Sequence, residues 1–186
     1  MVLLDFDVQS LLCFFLFRLL RNVDGQHTVC HACGKEYELD ELGQMRALAG
    51  ETEFPHIPDW YAWERAQVRR ELEEGRYRLD VPVKIGMLVD FKAIYLVGEG
   101  RLRQDNGGFT LDGCGGKLHF ERPANQSYSL YADYYWYELG DIICIGDRET
   151  QYYCFPPKGT PVAKARLATE ELFKLQKRQP RRRAGE

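Results

Sequence analysis

The chain has 186 residues, 45% of them hydrophobic and 13% aromatic, enough for one packed domain plus a smaller appendage. Its net charge of −3 is unevenly spread: six basic residues and one acid lie from Lys174 onward, leaving 19 basic against 27 acidic residues in the body. An acidic body argues against nucleic-acid binding, which needs a clustered positive surface. Six cysteines in a chain of this length do not make a disulfide scaffold.

The first segment, 1–25, contains the apolar run Leu11 to Leu20, interrupted by Arg18. It is shorter than the roughly 18 apolar residues that a membrane span requires. Asp5 and Asp7 stand where a secretory signal would carry positive charge, and no small-residue cleavage site follows. An interfacial helix, a helix packed on the body, and a non-native start all fit this composition.

Residues 26–50 hold the one motif with a specific chemistry. Cys30 and Cys33, in Thr-Val-Cys-His-Ala-Cys-Gly-Lys, have the spacing of a zinc knuckle, in which both thiolates face one point and Gly34 permits the return. A tetrahedral zinc needs four ligands, and a ribbon draws the second pair from another knuckle about 15–20 residues away. Upstream there is only Cys13; the next cysteine downstream is Cys114. The segment therefore reads as half a zinc ribbon. Zinc is expected there, if at all, at an incomplete site of Cys30 and Cys33, with His27 as a candidate third ligand. His31 lies inside the knuckle, a position whose side chain is expected to face away from a metal. Tyr37, Leu39 and Leu42 are the expected apolar contacts of the hairpin that follows.

Residues 51–75 form a linker and a helix. Pro58-Asp59 opens the helix, with Asp59 as the capping residue, and Gly75 stops it. His56 falls in the linker as a packing or capping feature.

Residues 76–178 read as a β-rich domain. Tyr77, Leu79, Val81, Val83, Ile85, Met87 and Val89 alternate with polar residues, the period of a strand with one buried face. Pro82 lacks an N–H and marks an edge or a bulge. Strand signals follow at Ile94–Val97, Gly100–Arg103, Phe109–Leu111, Leu118–Phe120, Tyr128–Trp136, Ile142–Ile145 and Tyr152–Phe155, with turns marked at Asn106-Gly107-Gly108, Gly113 to Gly116, Gly140-Asp141 and Gly146-Asp147. The aromatic stretch Tyr128 to Tyr137 has no Arg or Lys interleaved and reads as a core strand with one exposed tyrosine face. Cys114, Cys144 and Cys154 read as buried or half-buried free thiols, and His119 as solvent-exposed. The last helix has Thr160 as cap, Pro161 at its first position, and a stripe of Val162, Ala165, Ala168, Leu172 and Leu175. Residues 179–186 are a basic tail.

The fold class is thus α+β: a zinc-ribbon-like fragment, a connecting helix, and an antiparallel β domain of about seven strands with a C-terminal capping helix. That order is similar to the pleckstrin-homology-like superfold, including GRAM domains, in which the helix plugs one open end of a curved sheet, a likeness of fold and not of function. No nucleophile elbow, phosphate loop or His-Glu-x-x-His pair occurs.

The strings Cys-His-Ala-Cys-Gly-Lys-Glu-Tyr-Glu-Leu-Asp-Glu-Leu-Gly and Phe-Pro-His-Ile-Pro-Asp-Trp-Tyr-Ala-Trp-Glu-Arg (Phe54 to Arg65) carry a resemblance. From Val29 to Leu175 the chain resembles the C-terminal extension of a lysophospholipid (1-acyl-glycerol-3-phosphate) acyltransferase family of Firmicutes. The resemblance implies a place in bacterial phospholipid biosynthesis, with a membrane surface or an acyltransferase domain as partner. It implies a location in the cytoplasm, or peripheral at the inner face of the membrane. The family's His-x-x-x-x-Asp motif is absent: the residues five positions after His27, His31, His56 and His119 are Ala32, Glu36, Tyr61 and Ala124. The expected function is therefore non-catalytic, with no catalytic residue assigned. The alternative is a stand-alone GRAM-like module for lipid or protein, and a weaker one a zinc-ribbon nucleic-acid binder.

Overall fold

A computed structural model describes residues 27–29, 34–42, 44–89, 93–136 and 139–178. The expectations for segment 1–25, for Cys30 and Cys33, and for tail 179–186 lie outside these residues. The chain divides into two compact units, Met1–Gln67 and Val68–Glu186.

In the first unit, β1 (His27–Val29), β2 (Glu36–Leu39) and β3 (Met45–Ala47) form an antiparallel sheet in that order. The turn between β2 and β3 is held by Asp40, whose Oδ1 accepts the backbone N–H groups of Leu42 and Gln44 at 2.9 and 2.8 Å. Leu42 is 86% exposed, so the hairpin's apolar contacts come from Tyr37 and Leu39 without it. Tyr37 and Met45 pack with Trp60 of helix α1 (Ile57–Glu73), and Phe54 stacks on Trp60 at 6.0 Å. Helix α1 starts from the His56 carbonyl, which accepts the N–H groups of Asp59 and Trp60 at 3.0 and 3.3 Å. Asp59 sits inside the first turn rather than at the cap, where its charge suits the helix dipole.

In the second unit, α1 ends as expected at Gly75, whose φ of 68° only glycine adopts readily. Gly75 N–H bonds to Leu72 O at 3.1 Å and Arg76 N–H to Glu71 O at 2.8 Å, the paired closure of a left-handed helix end.

Seven antiparallel strands follow: β4 (Leu79–Val89), β5 (Ala93–Asp105), β6 (Gly108–Gly113), β7 (Leu118–Pro123), β8 (Tyr131–Trp136), β9 (Gly140–Gly146) and β10 (Gln151–Phe155). Their order in the sheet is β7-β6-β5-β4-β10-β9-β8. Two meanders, β4 to β7 and β8 to β10, are joined by the pairing of β10 with β4. That pairing stops at Lys84, so Pro82 lies on a stretch of β4 with no β10 neighbour, the edge-like position its missing N–H requires. The expected segments Ile94–Val97 and Gly100–Arg103 form one 13-residue strand. Gly98 and Gly100 lie inside it: a Cβ on Gly100 would lie 2.3 Å from Asp112 O, so glycine permits close approach of β6. Opposite Ile85 and Gly86 the register skips Val97, a bulge that bends the pair.

The sheet curls over itself. β7 and β10 are four places apart in the order, about 19 Å in a flat sheet at the usual strand spacing. Yet the rings of Phe120 on β7 and Tyr152 on β10 have centroids 5.1 Å apart. β9 is buried on both faces, as its unbroken Ile-Ile-Cys-Ile run implies.

Helix α2 (Val162–Arg178) packs on β8 and β9. Its stripe of Val162, Ala165, Ala168 and Leu172 is buried, and Leu175 is half-buried. The Thr160 hydroxyl does not cap the helix; it donates to Pro157 O at 2.8 Å and closes the preceding turn. The burial on α2 is wider than the apolar stripe. Thr169, Glu170 and Glu171 are also buried, because two of its faces meet protein.

Candidate functional site

Among the described residues, no group of three or more His, Cys, Asp or Glu side chains is close enough to hold a metal ion. Cys30 and Cys33 lie outside those residues, and of His27 only the backbone pairing with Glu38 is described. Cys114, Cys144 and Cys154 are free thiols, the last two buried. Burial pushes the Cys144 thiol up to about 12 and raises that of Cys154 as well, so neither is a thiolate near neutral pH.

His119 is exposed, as its strand position implies. It faces Asp112 across the β6–β7 ladder at 2.6 Å, with Glu121 at 3.3 Å. The hydrogen bond with Asp112 raises the His119 pKa above its ordinary value. Asp112 also pairs with Arg103 at 2.8 Å, and Asp80 with Arg101 at 2.5 Å. These are alternating cross-strand charges on a wet face. In the aromatic stretch, β8 is the last strand of the sheet rather than a central one. Tyr131 is 53% exposed, while Trp136 packs on Tyr153 and Phe155.

The least expected arrangement surrounds Arg122 at the end of β7. Along β7, Leu118, Phe120 and Arg122 alternate inward, and His119 and Glu121 outward. An arginine thus occupies an interior position of an otherwise apolar face. Arg122 is only 7% exposed, its guanidinium carbon lies 4.8 Å from the centre of the Phe109 ring, and its Nη2 is buried with no hydrogen-bond partner. Burial lowers its pKa, and no neighbouring carboxylate offsets that effect.

Arg122 lines a cleft of about 760 Å³. The loop after β7 contributes Gln126, Ser127 and Ser129; the turn between β9 and β10 contributes Asp147, Arg148 and Glu149; Tyr131, Cys144 and Gln151 close the wall. Asp147 is committed to its own turn. Its Oδ1 accepts the N–H groups of Glu149 and Thr150, both at 2.8 Å, which holds its carboxyl below the usual range. Sequence reasoning passed over Arg122. Its period-two placement between Phe120 and Ala124 was the available signal.

No family model, no curated protein and no solved structure matches the chain. Among the described residues no helix is long and apolar enough to cross a membrane.

Proposed function

We propose that the chain is a non-catalytic binding module of PH/GRAM-like architecture. The observation that carries this reading is the strand order β7-β6-β5-β4-β10-β9-β8, a four-strand meander joined edge to edge with a three-strand one, followed by a packed C-terminal helix. We further place it as the β-rich end of a Firmicutes lysophospholipid acyltransferase, on the strength of the string Phe54 to Arg65. Its working surface is then the inner face of a membrane, and its partner the acyltransferase domain. The missing His-x-x-x-x-Asp motif supports a role in docking rather than acyl transfer, since a general base must reach the acceptor hydroxyl.

Vesicle sedimentation of the purified chain tests the module reading. Weak, salt-sensitive binding to anionic vesicles is expected, since each basic residue near the surface contributes on the order of 1 kcal/mol. No binding at low salt overturns a membrane role. Acyl transfer to lysophosphatidic acid by the purified chain overturns the non-catalytic one. An acyltransferase coding region immediately upstream separates the extension from a stand-alone module.

A further inference from the structure

We infer that the cleft at Arg122 is a binding site for a phosphate group. This goes beyond the preceding reading and stands without the acyltransferase relationship.

The argument begins with the cost of the arginine. A guanidinium does not lose its proton in a protein, so burial cannot be relieved by neutralisation. A buried charge with no partner is strongly unfavourable. The ring of Phe109 offers its face, which stabilises the cation but accepts none of its N–H groups. Leucine or methionine at this position would continue the apolar inward face of β7 with Leu118 and Phe120 at no such cost. An arginine placed there has unused donors at the wall of a polar cleft.

The rest of the wall fits an oxyanion. Arg148 stands on the turn at the mouth and can bring a second positive charge. Ser129 and Gln126 lie on the same wall as hydroxyl and amide donors, while the Ser127 hydroxyl is spent on Ser129 O at 2.9 Å. Of the two wall acids, Asp147 has its Oδ1 occupied by backbone N–H groups, and Glu149 lies exposed on the turn. Phosphate accepts several such donors at once, and the planar fork of arginine matches two of its oxygens. The cleft volume is in the range of small-ligand sites. The phosphate can belong to a soluble small molecule or to a phosphomonoester lipid headgroup.

The test uses the full chain. Inorganic phosphate is titrated at constant ionic strength, followed by calorimetry and by the Arg122 Nε–Hε resonance. Saturable binding that moves this resonance is expected, with affinity falling at least about ten-fold in R122M. If R122M does not fold, the resonance in the unmodified chain decides. A phosphate titration that leaves it unmoved overturns the proposal, as does unchanged affinity in a folded R122M. Vesicles of phosphatidylcholine with and without phosphatidic acid then separate the sources. Competition with phosphate by phosphatidic acid vesicles alone assigns the site to a headgroup; its absence, with phosphate binding intact, assigns it to a soluble ligand. A chain that binds phosphate but no vesicle refutes the membrane reading and keeps the site.

Discussion

Tyr77 Oη donates to Gln104 Oε1 at 2.7 Å, with both side chains inside the second unit and almost wholly buried. Gln104 passes the connection on, its Nε2 donating to Thr169 Oγ1 at 2.9 Å and to Ala165 O at 3.3 Å. Thr169 in turn donates to Ala165 O at 2.9 Å. One amide thus fastens Tyr77, two residues before β4, the end of β5 and the middle of α2 in a single polar chain. Beside it, Lys164 on α2 pairs with Glu71 on α1, bonding Glu71 Oε1 at 2.8 Å.

Replacing that amide should cost more than removing one hydrogen bond. Q104L leaves the buried Tyr77 hydroxyl without an acceptor, so the expected loss is about 2 kcal/mol. Y77F takes the donor from Gln104 Oε1 but keeps both Gln104 Nε2 bonds, and should cost about 1 kcal/mol. Urea unfolding of both variants and of the double mutant checks this. The double mutant should be less destabilised than the sum, because the orphaned hydroxyl is gone.

Gly100 and Gly113 face each other across β5 and β6, and Ile85 Cδ1 lies over both. A Cβ on Gly100 would meet Asp112 O at 2.3 Å and Ile85 Cδ1 at 2.8 Å. G100A should therefore destabilise by about 2–3 kcal/mol, the cost of overpacking. The I85V change should restore little of it, since the backbone clash remains. Thermal unfolding of G100A with and without I85V measures both effects.

Glu64 on α1 is 4% exposed, and its Oε1 and the Trp60 Nε1 lack hydrogen bonds of good geometry. Burial pushes its carboxyl up to about 7, only partly countered by the nearby Trp60 N–H. A pKa raised on folding means that the folded state prefers the protonated acid. Its stability is full below the ordinary value of 4.5 and is lost as pH rises to about 7. The loss amounts to at most roughly 3 kcal/mol. E64Q should flatten this dependence and be more stable than the unmodified chain at pH 8. Unfolding midpoints across pH 4 to 8 give the answer.

Zinc at Cys30 and Cys33 should be weak, since an incomplete shell forfeits most of the binding energy. Dialysis against a mild chelator followed by metal analysis is expected to leave less than one zinc per chain. Retention of one zinc, lost on changing Cys30 or Cys33 to Ser, would show a complete site.

Much of the second unit was legible in the residue pattern. The period-two run from Tyr77 to Ile85 shows which face of β4 is buried, and Gly75 shows where α1 ends, because both are local consequences of backbone geometry. The stripe on α2 is legible for the same reason. Other features needed the assembled chain. The expected break between Val97 and Gly100 is absent, and Gly100 instead lets β6 pair closely alongside β5, a contact made by residues more than ten positions away. The burial of Glu171 and Thr169 follows from a second packed face on α2, which no helical period reports. Arg122 is the clearest case. Its sequence neighbours say only that it alternates inward; that its Nη2 is buried without a hydrogen-bond partner depends on how the loop after β7 and the β9–β10 turn meet around it. Local periodicity is written in adjacent residues, whereas the partners of a buried charge are chosen by the fold.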